Sequence, residues 1–126
     1  MFEMLSGFPD DVMAVSARGK LSADDYSRIL VPMVEERMRQ HRPLKLFFYL
    51  GPQFKGMEVG AMVEDARLGL ARWRDWGAIA VVTDFAGWRD AIGFLGLIFH
   101  HPVRLFFDAD FEKAKAWIVT DNPKVS

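Results

Sequence analysis

Three polar residues, Tyr49, Asp84 and Asp108, lie at or just past the carboxyl ends of three apolar segments that the sequence predicts to be β-strands. In open α/β sheets, ligands bind at that edge. Two aspartates placed there could hold Mg²⁺ or act as a general acid and a general base. The alternative is that each aspartate caps the helix that begins just after it, a common role for this residue. We favour capping, because no third carboxylate or nearby lysine completes a site.

The histidines are the next candidates for chemistry. His100 and His101 are adjacent, and adjacent side chains on a helix diverge too far to share a metal as an i, i+4 pair can. His41 lies close to Arg37, Arg39 and Arg42, which suggests a phosphate or other anion site. Both groups fall at predicted helix ends, where basic side chains suit the helix dipole. The sequence therefore predicts no metal site, and helix capping is favoured over anion binding.

Composition narrows the classes of function. The 126 residues carry 16 basic and 17 acidic side chains, and a net charge of -1 lacks the electrostatic footprint that nucleic-acid binding needs. Because the chain has no cysteine, a disulfide framework, a zinc–thiolate site and a thiol nucleophile are excluded. The sequence contains no Gly-rich phosphate loop, nucleophile elbow or histidine–carboxylate pair at readable spacing. We therefore expect no enzymatic activity and no cofactor.

Length and hydropathy predict one domain over residues 1–126, with 51% apolar residues to supply a core. The first residues, MFEMLSGFPDD, lack the basic region and long apolar run of a signal peptide. The longest uncharged run, 91–103, is shorter than the ~20 residues that a membrane-spanning helix requires. We expect a cytoplasmic protein without an integral membrane segment.

Strands and helices alternate through the second half of the chain, which indicates an α/β fold with a parallel sheet, because parallel neighbours need a crossover helix between them. The predicted sheet has five strands and is mainly parallel, with an antiparallel hairpin at its start. The strands are predicted at 2–8, 12–18, 44–50, 78–83 and 103–107. Four helices are predicted at 23–41, 57–75, 86–100 and 110–119.

Local signals define two of these helices. Ser22 followed by Asp25 is close to a capping box at the start of helix 23–41, and Pro32 should bend that helix because proline lacks the amide that the turn needs. In helix 57–75 the apolar residues recur on one stripe, the pattern of a helix with a single core-facing side. The stripe consists of Val59, Met62, Val63, Ala66, Leu70 and Trp73.

The segment 91–99, AIGFLGLIF, is apolar all round, whereas a surface helix has a polar side. It could be buried against the sheet, form a dimer interface, or wall an apolar pocket between helices 57–75 and 86–100. The interface would use Leu95, Leu97, Ile98 and Phe99. The pocket would be lined by Phe54, Lys55, Met57, Met62, Trp88 and Phe94, with the 51–57 loop at its mouth.

Several short motifs occur in an order that spans nearly the whole chain. They are Asp25-Tyr26 with Pro32, Phe54-Lys55-Gly56, IAVVTD at 79–84, Trp88, VRLFF at 103–107 and AKAWI at 114–118. In this order the chain resembles the SpoIIAA-like proteins, a small bacterial family of the STAS type that is structurally related to the lipid-binding CRAL-TRIO fold. The resemblance implies a β-α superhelix and, often, a dimer. It implies no settled biochemical activity.

One departure from the STAS pattern bears on function. Anti-sigma factor antagonists of this type carry a phosphorylatable serine after the third strand, and the chain has no serine or threonine from Gly51 to Met62. A phosphate charge switch at that position is therefore excluded.

Two hypotheses from different classes follow from these observations. The first is a non-enzymatic regulatory or protein-interaction module of STAS-like type that acts as a homodimer. The alternative is a carrier or sensor of a small hydrophobic ligand such as a fatty acid, whose head group would pair with Lys55 or Arg67.

Overall fold

The computed structural model describes residues 1–71, 75–84 and 103–120. In these ranges the strands are β1 (Phe2–Met4), β2 (Val12–Ala17), β3 (Gly19–Leu21), β4 (Leu44–Leu50), β5 (Phe54–Met57), β6 (Trp76–Thr83) and β7 (Val103–Phe106). The α-helices are α1 (Val31–Gln40), α2 (Val59–Ala71) and α3 (Phe111–Ile118). A π-helical segment, Asp25–Leu30, precedes α1, and a 3₁₀ turn, Asp108–Asp110, precedes α3.

Five of the strands form one sheet in the order β1-β2-β4-β6-β7. The pair β1–β2 is antiparallel, whereas β2–β4, β4–β6 and β6–β7 are parallel. The α/β class and the N-terminal hairpin are thus confirmed, and the expected mainly parallel sheet is corrected to a mixed one because β1 runs against its neighbour. The described ranges contain three α-helices instead of the predicted four, since the predicted helix 86–100 lies outside them.

A second, two-stranded sheet was missed by the sequence analysis. Strands β3 and β5 pair in parallel, so that Phe54, Lys55 and Met57 lie on a strand and not in the predicted 51–57 loop. Gly19 and Gly56 have φ angles of 65° and 116°, a backbone region that favours glycine. Each glycine lies within its strand, and both strands are too short to show an alternating pattern in the sequence.

The large sheet is buried on both faces. On one face, β2 and β4 pack with the π-helical segment, α1 and α2; this first core includes Leu46, Phe48 and Tyr26. On the other face the same strands pack with α3; this second core includes Phe47 and Ile118. The continuous apolar run of β4 is the expected signature of a strand covered on both sides.

The capping box predicted at Ser22 is confirmed. The backbone N–H of Asp25 donates to Oγ of Ser22 at 3.1 Å, and the backbone N–H of Ser22 donates to a carboxylate oxygen of Asp25 at 3.0 Å. The predicted single helix 23–41 is corrected, because residues 25–30 adopt the wider π-helical turn and α1 begins only at Val31. Pro32 lies in the first turn of α1, directly after the π-helical segment.

Across the three described ranges, no helix is both long and apolar enough to cross a lipid bilayer.

Replacing Ser22 with alanine should lower the free energy of unfolding by about 1 kcal/mol, because the first turn loses a side-chain acceptor for its amide. Urea denaturation of the Ser22→Ala variant measures the loss. Ser27→Ala is the matched control: Ser27 is exposed, and this variant should stay within about 0.5 kcal/mol of the wild type. Equal stability of the two variants would contradict the capping role.

Candidate functional site

Tyr49, Asp84 and Asp108 meet at the carboxyl edge of the large sheet, as the sequence predicted. Asp84 Oδ1 accepts a hydrogen bond of 2.9 Å from the backbone N–H of Asp108. Asp84 therefore caps the 3₁₀ turn that follows the neighbouring strand β7. The predicted capping of the helix just after Asp84 stays a prediction, because that helix lies outside the described residues.

Asp108 does not take the predicted capping role. No side-chain cap hydrogen bond is made at the start of α3, and Oδ1 of Asp108 is buried without a hydrogen-bond partner among the described residues. Burial raises the pKa of Asp108, and the nearby Asp84 carboxylate raises it further. Burial likewise raises the pKa of Tyr49, and the charges of Asp108 and Asp84 add to the effect. The phenol of Tyr49 thus stays protonated beside two carboxyl groups.

This cluster does not form a metal centre within the described part of the chain. Residues 1–71, 75–84 and 103–120 contain no group of three or more His, Cys, Asp or Glu side chains that could hold a metal ion. Two carboxyl groups, one of which accepts a backbone N–H, fall short of the six or more oxygen ligands that Mg²⁺ or Ca²⁺ requires, unless water supplies the rest.

A cavity of about 240 Å³ opens beside Tyr49. It lies at the carboxyl ends of β2 and β4 and is lined by Ser16, Ala17, Arg18, Tyr49, Gly51, Pro52 and Gln53. The Tyr49 ring makes an edge-on contact with Phe111, 5.1 Å between ring centres. A β-carbon on Gly51 would lie 2.6 Å from that ring, so only glycine fits there. The guanidinium group of Arg18 forms a salt bridge with the Glu3 carboxylate, at 3.2 Å.

Of the six residues predicted to line an apolar pocket, the four that the structure describes lie outside this cavity. Phe54 is 1% exposed and belongs to the first core, and Met57 is partly buried against the same core. Lys55 and Met62 are exposed. The alternation of a β-strand explains the separation of Phe54 from Lys55, because successive side chains point to opposite faces. Trp88 and Phe94 lie outside the described residues, and the apolar pocket stays a prediction.

Of the remaining residues predicted to form a site, some lie outside the described residues and the others are placed by the structure. Leu95, Leu97, Ile98 and Phe99, predicted to form a dimer interface, lie outside the described residues, as do His100 and His101. His41 ends α1 as its C-cap residue, which confirms its predicted place at a helix end. Of the arginines near it, Arg37 donates to the backbone carbonyl of Asp10 at 3.2 Å, and Arg39 pairs with Glu36 at 2.7 Å.

The outer side of α2 is an apolar surface that the sequence analysis assigned to the core. Val59, Met62 and Val63 are 75%, 42% and 50% exposed, whereas Ala61 and Leu68 on the inner side are buried. The described part of the predicted core-facing stripe therefore faces solvent. The small residue Ala61 gave little signal in the sequence, because periodicity weights the larger apolar side chains.

The inner side of α2 carries a polar contact that the sequence did not reveal. The hydroxyl group of Tyr26, a fully buried residue of the π-helical segment, donates to Oδ1 of Asp65 at 3.0 Å. The two residues are 39 positions apart, and neither belongs to a motif that predicts the pairing.

Comparison with known proteins identifies the fold. The chain matches the SpoIIAA-like family model over residues 12–119. It is also similar to the crystal structure of an uncharacterised protein of the DUF3478 family from Shewanella loihica PV-4, which has a SpoIIAA-like fold. The two chains are 19% identical over 93% of each, with a TM-score of 0.71, a likeness that shows the fold alone. No functionally curated protein matches. A family match over most of its length, with the same fold in a solved structure, shows that this chain belongs to the SpoIIAA-like family.

Proposed function

We propose that this protein is a non-enzymatic regulatory or protein-interaction module of STAS-like type, and that it acts as a homodimer through the outer face of α2. We define this face by Val59, Met62 and Val63. The observation that carries the proposal is the exposure of all three side chains on adjacent turns of one helix. Their spacing, i, i+3 and i+4, places them on a single side of the helix.

Exposed apolar side chains are ordinary when they are scattered, but a contiguous group is typical of an interaction surface. Methionine is enriched at interfaces, where its flexible side chain adapts to an irregular partner. The inner side of α2 already covers the first core with Ala61 and Leu68. The outer face is therefore not needed for the packing of the first core.

The geometry of the outer face suits a second copy of the chain as the partner. A twofold axis near Val63 would pair the two helices antiparallel, so that Met62 and Val63 of one copy pack against the same two residues of the other. Such an interface uses one surface twice and complements itself, which is the commonest arrangement in homo-oligomers.

The carboxyl edge of the sheet supports the non-enzymatic part of the proposal. Asp84 is committed to the backbone N–H of Asp108, and the ring of Tyr49 is held against Phe111 with its hydroxyl group protonated. These groups stabilise the edge. The STAS-type fold of the SpoIIAA-like family likewise suggests a regulatory module.

Replacing Val63 with aspartate should weaken the dimer at least tenfold, or about 1.4 kcal/mol, because an unpaired carboxylate would enter an apolar interface. Sedimentation velocity over a concentration series measures the dissociation constant. Val119→Asp is the matched control: Val119 is a similarly exposed valine at the end of α3, on the opposite side of the sheet, and its dimer should be unchanged. A monomeric wild type, or equal dissociation constants for both variants, would refute the proposal.

The predicted contribution of Leu95 to the interface can be tested separately. If the segment 91–99 belongs to the interface, Leu95→Asp should yield a folded monomer, because charge is disfavoured in interface cores. Circular dichroism and sedimentation of this variant distinguish the outcomes. Loss of folding would assign Leu95 to the core, and an unchanged folded dimer would remove it from the interface.

A further inference from the structure

Asp65 occupies a position on α2 where an acidic side chain is unexpected. It lies four residues after Ala61 and three before Leu68, both of which are buried, so it shares the inner side of the helix with them. This side packs against the π-helical segment. Gly60 allows the close approach, because a β-carbon there would lie 3.1 Å from the Cβ of Ala23. Asp65 is itself partly buried, and its carboxyl group lies at the contact between the two elements.

Tyr26 is the hydrogen-bond partner of Asp65 at that contact. Its hydroxyl group donates to Oδ1 of Asp65 at 3.0 Å, and burial, followed by the charge of Asp65, raises the pKa of Tyr26 far above its usual value. The hydroxyl group therefore remains a neutral donor at all ordinary pH values. One neutral hydrogen bond offsets only part of the cost of keeping a carboxylate away from water.

The charged groups of α2 do not compensate Asp65. Arg67 pairs with Glu64 at 3.4 Å, and its side chain is exposed on the outer part of the helix. Glu64 has the same sign of charge as Asp65 and therefore supplies no counter-charge.

The charged groups of the neighbouring elements are engaged in a similar way. On the π-helical segment, Asp25 accepts the Ser22 backbone N–H of the capping box, and Arg28 is exposed opposite Asp24 at 4.0 Å. On β1, which also packs against this segment, Glu3 pairs with Arg18. Among the described residues, the cations of these elements are thus directed elsewhere.

We propose that the Tyr26–Asp65 pair makes the seating of α2 dependent on pH, with α2 held most firmly against the π-helical segment when Asp65 is protonated. A protonated carboxyl group needs no counter-charge and can still hydrogen-bond to the Tyr26 oxygen. Opening of α2 exposes the carboxyl group to water and restores the ordinary preference for the charged form. The proposal concerns the inner side of α2 and holds whether or not the outer face binds a second copy.

The sign of the effect follows from the direction of the pKa shift. Burial raises the pKa of Asp65, and the hydrogen bond from Tyr26 offsets part of the rise. The seated state therefore binds the proton more tightly than the opened state, whose pKa is near the ordinary value. Seating is strongest below the ordinary pKa of aspartate, and it weakens as the pH rises through the higher pKa of the seated state.

Hydrogen–deuterium exchange of α2 peptides between about pH 5 and pH 8, corrected for intrinsic exchange rates, tests the proposal. In the wild type, protection of the α2 amides should fall by at least about threefold across this range, a difference that local opening equilibria readily span. Peptides from β4 serve as an internal reference. Flat protection of α2 across the range would overturn the proposal.

Two variants and a control assign the effect to this pair. Asp65→Asn keeps an oxygen for the Tyr26 hydroxyl group but cannot ionise, so α2 protection should become independent of pH and exceed that of the wild type at pH 8. Tyr26→Phe removes the donor that stabilises the carboxylate, so the midpoint should move to higher pH. Glu64→Gln, the same kind of charge removal one residue away, should keep the wild-type profile. A pH dependence in Asp65→Asn as steep as that of the wild type, or an unmoved midpoint in Tyr26→Phe, would contradict the assignment.

Discussion

The structure depends above all on the burial of β4 on both faces. Phe47 and Phe48 are neighbours on this strand, yet Phe47 packs in the second core and Phe48 in the first. Each aromatic side chain gains roughly 1.5–3 kcal/mol from burial only if a layer covers its face. The sheet must therefore carry helices on both sides, with α1 and α2 on one and α3 on the other. The orientation of α2 about its own axis then determines which of its side chains are exposed to solvent.

This orientation gives α2 a buried side and an exposed side of different composition. Its inner side presents Ala61 and Leu68 to the first core and carries Asp65 into the contact with Tyr26. Its outer side presents three further apolar groups, Val59, Met62 and Val63, to solvent. A helix that served packing alone would turn apolar groups inwards and leave an acidic residue such as Asp65 to solvent, because burial of apolar area is favourable. The reversed arrangement is the physical basis for assigning an interaction role to the outer face.

The parts of this structure that could be predicted from the sequence rest on local signals. The capping box at Ser22 needs only two residues three positions apart, and β4 is indicated by a continuous apolar run. Strands β3 and β5 were not predicted because they are short and contain glycine, and because their pairing joins distant segments. The orientation of α2 was predicted wrongly because both of its sides carry apolar residues, so the periodicity of the sequence does not identify the buried side. The Tyr26–Asp65 contact depends on tertiary packing, which no local pattern encodes.

Because the chain contains no cysteine, a single introduced thiol reports directly on the proposed antiparallel pairing of α2. A twofold axis near Val63 brings the two copies of this residue together, within reach of a disulfide. The most direct measurement is oxidative cross-linking of Val63→Cys beside Val119→Cys as the reference. The account predicts that Val63→Cys forms a covalent dimer at concentrations where Val119→Cys stays monomeric. Equal and slow cross-linking of both variants would contradict it.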